Sequence, residues 1–431
     1  MDVLRYCLPP SLRRTLDEIP ESLDETYERV LKEIKKPNRE HARRLLQCLV
    51  VAVRPLRVEE LAEVLAVDFD GADGTPKLNA SWRWEDQEQA LLSSCSSLIT
   101  IVNAHSSRVV QFSHFSVKEL LTSPRLLLSS EDVSCYHVDL EAAHTTLTQA
   151  CLSVLLQLNG RVEENRVQES FPLARYAAEH WATHAQFRDV STHLRKGMED
   201  LFDMGKPHFS AWLRLHDVDT VIGTRSTFYM FSPNTKSEAG PIYYASLCGL
   251  HDLARCLIVK YPEQVNARGG YCVTPLVAAL SREHFQVAEL LRHHGADPTV
   301  RGYNEKTLLH SVAYYGNLQM VQVLLKYNAD ITAEDVKGRI PLSDASERSK
   351  PRGASIVRLL LDHGVDVNVR LRWGSTLLHH AVTFGNLEVA RVLLEYGADV
   401  QAEDKDGKTP VQIVARNRDE MRQLLLEHDA K

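Results

Sequence analysis

The sequence predicts a mostly α-helical protein in two parts: a helical N-terminal part with one β-hairpin, and a C-terminal solenoid of short repeats. Two observations carry this prediction. Similar seven-residue stretches recur at intervals of about 33 residues within residues 240–431. Before them, apolar side chains keep helical spacing almost throughout, and only residues 98–112 have the pattern of strands. The chain has 431 residues, which is long enough for two or three domains.

The repeated stretches are TPLVAAL at 274–280, TLLHSVA at 307–313, TLLHHAV at 376–382 and TPVQIVA at 409–415, with weaker copies GPIYYAS at 240–246 and IPLSDAS at 340–346. Most are followed by a second apolar segment with a leucine pair and a glycine, as in VARVLLEYGADVQA. This period and the T-P-L-H-x-A pattern are the signature of ankyrin repeats. The sequence therefore predicts an ankyrin-repeat α-solenoid of about six units, starting near residues 240, 274, 307, 340, 376 and 409.

The residue types explain how each unit folds. The threonine of the T-P-L-H pattern is expected to cap the first helix with its hydroxyl group. Glycines such as Gly295 and Gly397 follow the second helix, where a left-handed residue ends it, and Asn328 takes that place in the third unit. The fourth unit is 36 residues long, and we expect its extra residues in an enlarged loop at 346–355.

The N-terminal part shows helical patterns followed by a hairpin. The helical segments LDETYERVLKEI, HARRLLQCLVVAV, VEELAEVLAV and EDQEQALLSSC precede two strands, SLITIVN and RVVQF, and a further helix, FSVKELL. This order indicates a helical linker and winged-helix domain over residues 1–130. Residues 131–204 keep helical spacing and are expected to form a helical connector. Residues 205–239, which contain several glycines and prolines, are expected to form an irregular linker.

Composition and charge argue against several classes of protein function. The net charge of −7 argues against a general nucleic-acid binder. The longest apolar stretch, Leu45–Val53, is too short to span a bilayer.

None of the eight cysteines forms a C-x-x-C pair, so we expect free thiols in a reducing compartment. The chain is accordingly expected in the cytoplasm or the nucleus, with no cofactor.

Four phrases together resemble a known family. LPPSLRRTLDEIPESLDETYERVL, LLQCLVVAVRPLRVEELAEVLAV, VVQFSHFSVKELL and FPLARYAAEHWATHA are similar to the region after the nucleotide-binding module in fungal NACHT–ankyrin proteins, which are NLR-like and STAND-class. The winged helix there is of the GPI inositol-deacylase type. The resemblance implies a role in NLR-like signalling or assembly. In the family an NTPase precedes this region, but no G-x-x-x-x-G-K-[ST] motif occurs here, so we expect a chain that lacks the NACHT NTPase.

Three patterns could suggest an enzyme, and each is weak. Asp406–Thr409 looks like the end of a phosphate-binding loop, but the glycine required five residues before Gly407 is absent. His180 and His184 are spaced for a metal site, yet no glutamate follows the first histidine. Ser113–Ser116 contains serines beside a histidine without a G-x-S-x-G elbow. We therefore predict a protein that is not an enzyme and holds no metal.

DNA binding through the winged helix is the alternative function. Its reading helix would be Glu85–Ser97, the helix just before the hairpin. That segment contains Glu85, Asp86 and Glu88 and no lysine or arginine, so it would repel phosphates. A basic cluster in residues 35–44 lies on other elements. Protein binding is therefore favoured over DNA binding.

The ankyrin repeats are expected to bind a partner protein through their concave face and hairpin tips. Equivalent positions of stacked repeats line up as a continuous strip, and aromatic and arginine side chains dominate binding energy at interfaces. The candidate residues at the ends of the first helices are Arg282, Tyr314, Tyr315 and Phe384, and those at the tips are Tyr271, Arg301, Tyr303, Arg370, Arg372 and Trp373. For Tyr314 and Tyr315, packing between neighbouring hairpins remains an alternative.

Overall fold

A computed structural model describes residues 23–71, 75–104, 107–159, 164–219, 239–347, 351–415 and 418–429. The chain divides into two compact units, Met1–His216 and Asp217–Lys431. The LPPSL phrase of the resemblance and most of the expected irregular linker lie outside the described residues. Within the described part, no helix is long and apolar enough to cross a membrane.

The first unit contains the predicted winged helix. Its elements are α1 (Leu23–Glu33), α2 (Arg39–Val51), β1 (Leu56–Arg57), α3 (Val58–Glu63), β2 (Val67–Asp68), β3 (Lys77–Leu78), α4 (Gln87–Cys95), β4 (Ile99–Ala104), β5 (Ser107–Phe112), α5 (Phe115–Thr122), α6 (Pro124–Leu127) and α7 (Glu131–Ser134). The apolar faces of these helices meet in one core, where Leu45, Leu61 and Leu91 are fully buried.

The wing is a three-stranded antiparallel sheet in the order β1-β5-β4. The predicted hairpin pairs from Ile99 opposite Phe112 to Ala104 opposite Ser107. On its other edge, Leu56 of β1 pairs with Val110. Strand β1 and the small β2–β3 ribbon were not predicted, because a strand of two residues is too short to show an alternating pattern.

The rest of the first unit is helical, as predicted, but the helices extend further than expected. They are α8 (Leu140–Leu155), α9 (Glu164–Ser170), α10 (Ala174–Ala185), α11 (Val190–His193), α12 (Arg195–Leu201) and α13 (His208–Leu215). Helix α13 lies in the segment expected to be irregular. It forms because Trp212 is buried against Trp181 and Phe202, with ring centroids 5.5 Å apart in both pairs. The indole nitrogen of Trp212 also donates to the Ala178 carbonyl at 3.0 Å.

The second unit contains six helix pairs, in agreement with the ankyrin prediction. They are Pro241–Leu247 with His251–Lys260, Pro275–Ser281 with Phe285–His293, Leu308–Tyr315 with Leu318–Lys326, Pro341–Glu347 with Pro351–Asp362, Leu377–Phe384 with Leu387–Glu395, and Pro410–Ile413 with Asp419–Asp429. We number them repeats one to six. The first helices of repeats three, four and five pack side by side and bury an apolar seam that includes Leu309, Leu342 and Leu378.

The residues that end the second helices behave as predicted. Gly295 and Gly397 have φ of +84°, and Asn328 has φ of +56° in the equivalent place. Repeat four differs from the expectation of an enlarged loop at 346–355. Its first helix continues to Glu347 and its second helix begins at Pro351. That second helix has 12 residues, against nine in repeat three, so the insertion lengthens the helix.

Candidate functional site

The capping threonines and the histidines of the T-x-L-H pattern set the position of the first helices. In repeat three, the backbone N–H of Thr307 donates to His310 Nδ1 at 3.1 Å, and the Thr307 hydroxyl lies 2.9 Å from the same atom. Repeat five repeats this capping box with Thr376 and His379. In repeat two, the Thr274 hydroxyl accepts from the backbone of Val277. The prediction that the threonines cap these helices is confirmed.

Each of these histidines also connects its repeat to the next one. Because Nδ1 of His310 accepts a hydrogen bond, Nε2 carries the proton and donates to the Arg339 carbonyl at 2.9 Å. His379 Nε2 bonds to the Lys408 carbonyl at 3.0 Å in the same way. Burial lowers the pKa of His310 to about 4, so the ring is neutral at physiological pH. The histidines therefore fix the spacing between successive hairpin tips.

Arg301 and Arg370, two of the predicted binding residues, link neighbouring hairpins. Arg301 donates to the Glu334 carbonyl at 2.7 Å, and Arg370 donates to the Glu403 carbonyl at 2.5 Å. Arg268, which was not among the predicted binding residues, makes the equivalent bond one repeat earlier and donates to the Arg301 carbonyl at 3.4 Å. These guanidinium groups therefore hold one tip against the next. In partner binding, Arg301 and Arg370 can use only those guanidinium N–H groups that are not bonded to the neighbouring tip.

Trp373 stands at the tip of repeat five with its indole 64% exposed. Its φ is +71°, the left-handed region that a bulky residue rarely adopts. The Lys405 ammonium lies 4.0 Å from the ring centroid, and the Arg372 guanidinium carbon lies 5.9 Å from it. Arg372 also donates to the Val336 carbonyl at 2.8 Å. The tip thus presents an indole between two cations.

The other predicted residues differ in exposure. Tyr303 at the tip of repeat three and Phe384 at the end of a first helix are 52% and 44% exposed. Arg282 is exposed. Tyr314 and Tyr315 are half-buried and meet edge to face, with centroids 5.1 Å apart, so part of each ring is used in packing.

Tyr271 is half-buried at the start of the repeat array. Its backbone N–H donates to Asp219 Oδ2 at 2.7 Å, while Oδ1 of the same carboxylate accepts from the Tyr243 hydroxyl at 2.6 Å. Asp219 is buried, so these bonds connect the segment before repeat one to the first two repeats. Tyr271 therefore belongs to a structural contact as well as to the predicted binding strip.

A buried charge cluster inside repeats three and four was not predicted from the sequence. Lys306 donates to both carboxylate oxygens of Asp344, at 3.1 and 2.9 Å, and both side chains are buried. Arg339 lies 3.5 Å from Asp344 and also pairs with Asp335 and Glu347, at 2.9 and 2.7 Å. Burial raises the pKa of Asp344 to about 6, against the opposing effect of Lys306. The sequence feature that could have indicated this cluster is the unusual stretch IPLSDAS, which places an aspartate inside the repeat pattern.

His184, one of the two histidines considered for metal binding, belongs to a hydrogen-bond chain in the first unit. His184 is buried, and its Nε2 lies 2.9 Å from the Tyr176 hydroxyl. Its Nδ1 lies 2.9 Å from Nδ1 of His144. Burial lowers the pKa of His184 to about 3. Both ring nitrogens are therefore occupied, and among the described residues no cluster of histidine, cysteine and acidic side chains is arranged to hold a metal ion.

The serine–histidine stretch and the DNA-binding alternative also have structural explanations. His114 Nδ1 lies 2.7 Å from Ser116 Oγ and accepts from the Ser116 backbone, which caps α5. In the winged helix, the wing residue Arg108 forms an ion pair with Glu88 of α4 at 2.5 Å. Arg108, the wing cation that could contact a phosphate, is thus paired with a carboxylate of α4, the helix that would contact the DNA bases.

Comparisons with known proteins agree with both parts of the structure. The family model described as "Ankyrin repeats (3 copies)" matches residues 300–370 and 349–431, and the model described as "Ankyrin repeat" matches residues 272–303. The model described as "GPI inositol-deacylase, winged helix domain" matches residues 27–131. The chain therefore contains ankyrin repeats and a winged helix related to that of an enzyme family. The first repeat, at 240–271, lies before these matches and follows from the structure.

Three relatives show how far the similarity extends. The "Azaphilone pigments biosynthesis cluster protein L" of Monascus ruber is 31% identical over 296 residues, 65% of this chain and 61% of that protein. The mouse "B-cell lymphoma 3 protein homolog" is 32% identical over 41% of this chain and 40% of its own length. Human "Inversin" is 39% identical over 22% of this chain and 9% of its own length. The chain thus spans less than two thirds of each of these proteins.

Proposed function

We propose that this chain is a non-enzymatic interaction scaffold whose ankyrin repeats bind a partner protein through their hairpin tips and the ends of their first helices. The observation that carries the proposal is Trp373, an exposed indole on a left-handed backbone. A non-glycine residue in that conformation costs about 1 to 3 kcal/mol. The cation–π contact with Lys405 gains only about 0.5 to 1 kcal/mol at an exposed site. Because that gain does not exceed the backbone cost, the indole at this position favours a role in recognition.

The neighbouring side chains define the proposed surface. Tyr303, Trp373 and Phe384 supply exposed aromatic area, Arg372 supplies donors beside Trp373, and Arg282 supplies donors at the end of another first helix. Aromatic and arginine side chains are the residues most often responsible for binding energy at protein interfaces. The hydrogen bonds of Arg301 and Arg370 hold the tips at fixed spacing, so less conformational entropy is lost when a partner binds.

The finer assignment is a role in NLR-like signalling or assembly in the cytoplasm. It is supported by the resemblance to fungal NACHT–ankyrin proteins and by the order of domains, with a GPI inositol-deacylase-type winged helix before the repeats. The similarity to a protein of Monascus ruber is consistent with a fungal protein of this kind. In this proposal residues 1–204 form the supporting module, and residues 240–431 recognise the partner.

Affinity purification of the full chain tests the proposal. The variant Trp373→Ala/Tyr303→Ala removes exposed aromatic area from two tips. The matched control Val259→Ser/Leu426→Ser removes exposed apolar side chains from the second helices of repeats one and six. We expect proteins that co-purify with the wild type and with the control to be depleted with the tip variant. Undiminished recovery of every partner by a folded tip variant would show that the surface is wrong.

A further inference from the structure

Two tryptophans of the first unit are exposed and have no part in the proposed function. Trp82 and Trp84 lie between β3 and α4, and their side chains are 49% and 54% exposed. Neither indole has an aromatic or cationic partner among the described residues. The other two tryptophans of this unit, Trp181 and Trp212, are fully buried. Two adjacent exposed indoles are unusual on a surface with no role in binding.

Arg83, the residue between them, is anchored to the rest of the unit. Arg83 donates to both carboxylate oxygens of the buried Glu63, at 3.1 and 2.5 Å, and to the Ser170 carbonyl at 2.7 Å. Arg83 has an extended backbone, with φ of −65° and ψ of 135°. The guanidinium group of Arg83 is thus held by Glu63 and Ser170, while Trp82 and Trp84 on either side of it in the sequence are exposed.

The segment before the indoles is also held in place. The side-chain oxygen of Asn79 accepts from the backbone and the hydroxyl of Ser81, at 3.1 and 2.7 Å. The backbone N–H of Asn79 donates to the Ala66 carbonyl at 2.8 Å. The indoles therefore belong to an ordered surface, so little backbone entropy would be lost on binding.

Two carboxylates follow the indoles directly in the sequence. Glu85 and Asp86 follow directly and are exposed. Neither has an ion pair among the described residues. Arg83, between the two indoles, is paired with Glu63, and Arg108 of the wing is paired with Glu88 of α4. The surface around Trp82 and Trp84 is thus aromatic and acidic.

We propose that Trp82, Trp84, Glu85 and Asp86 form a docking surface for a lysine- or arginine-rich segment of a partner protein. An ammonium or guanidinium group over an indole face gains a cation–π interaction, and an adjacent carboxylate adds a charge-assisted hydrogen bond. A purely apolar partner would bury the two carboxylates without counter-ions. A nucleic acid would bring its phosphates against them. A basic peptide satisfies both parts of the surface.

Binding of a labelled peptide to the full chain tests this surface. The probe is a fluorescein-labelled peptide of alternating lysine and glycine, measured by fluorescence anisotropy at physiological salt. We expect Trp82→Ala/Trp84→Ala to weaken binding by about ten-fold. Glu85→Gln/Asp86→Asn, which keeps the shapes of the side chains, is expected to weaken it by about five-fold.

Two controls match these variants in chemistry. Phe115→Ala removes an exposed aromatic ring from helix α5, and Asp419→Asn/Glu420→Gln removes two exposed carboxylates from repeat six. We expect both to bind the peptide within about two-fold of the wild type. The proposal is overturned if the Trp82/Trp84 variant keeps its affinity or if the controls lose as much. It is also overturned if sedimentation shows that these indoles instead hold two copies of the chain together.

Discussion

The Lys306 ammonium lies 2.9 Å from Oδ2 of Asp344, with both side chains buried between two ankyrin repeats. Apolar side chains usually fill this part of a repeat stack. Removing two charges from water is costly, and their mutual attraction offsets the cost only while both are present. The pair therefore makes repeats three and four depend on each other in a way that an apolar contact would not.

Changing one member of this pair should cost far more than changing both. We expect Asp344→Ala to lower the free energy of unfolding by about 3 kcal/mol, because Lys306 is left buried without its partner. Lys306→Met/Asp344→Leu should lie within about 1 kcal/mol of the wild type. Urea denaturation of the single and double variants measures both values. Additive losses in the double variant would contradict this account of the pair.

Arg301 and Arg370 should contribute to the stability of the repeats. Each guanidinium group donates to a carbonyl of the next tip. Because both side chains are partly exposed, we expect Arg301→Ala or Arg370→Ala to lower the free energy of unfolding by only about 1 kcal/mol. Arg282→Ala is the control, because Arg282 is exposed and does not take part in these bonds between the tips. It should change the free energy of unfolding by less than about 0.5 kcal/mol. Equal losses of stability at all three positions would refute a specific role for the hydrogen bonds between the tips.

The buried His184 should make the first unit sensitive to acid. Its pKa is lowered to about 3 by burial, whereas an exposed histidine titrates near 6.5. Between these values the unfolded chain binds a proton that the folded chain does not, so stability falls as the pH drops. The slope for this residue is about 1.4 kcal/mol per pH unit, or about 2 kcal/mol between pH 6.5 and 5.

Denaturation followed by tryptophan fluorescence from pH 7 to 5 checks this expectation. His184→Gln should show a shallower dependence on pH than the wild type. His193→Gln, which changes an exposed histidine of the same unit, should keep the wild-type slope. A wild-type slope in the His184 variant would mean that other groups cause the acid sensitivity.

The winged helix should not bind DNA with high affinity. Glu88 neutralises Arg108 of the wing, and Glu85 and Asp86 precede the reading helix. We expect no binding of the full chain to a duplex below about micromolar concentration at about 150 mM salt. Submicromolar binding that weakens with salt and is lost in Arg108→Ala would revive the alternative function.

The repeat architecture could be predicted because it depends on local, periodic information. Six copies of one pattern specify the helices, the caps and the left-handed residues, and Gly397 and Asn328 take the conformation expected of them. The hairpin of the wing was also predictable from alternation alone. These features depend on residues close together in the sequence, so they need no knowledge of tertiary contacts.

The features that were missed depend on residues far apart in the sequence. Helix α13 forms in a segment with linker-like composition because Trp212 packs on Trp181, 31 positions earlier. The Lys306–Asp344 pair joins residues 38 positions apart in two different repeats. The hydrogen bond from Arg301 to the next tip was also missed, although Arg268 occupies the equivalent position one repeat earlier.

Site-specific photo-crosslinking tests the central claim most directly. A photoreactive phenylalanine analogue would replace Tyr303, Phe384 or, as the control, Val259 on a second helix. We expect a protein that co-purifies with the chain to crosslink from the positions of Tyr303 and Phe384 and not from that of Val259. Crosslinking from the Val259 position alone would contradict it, because the partner would then occupy the surface of the second helices.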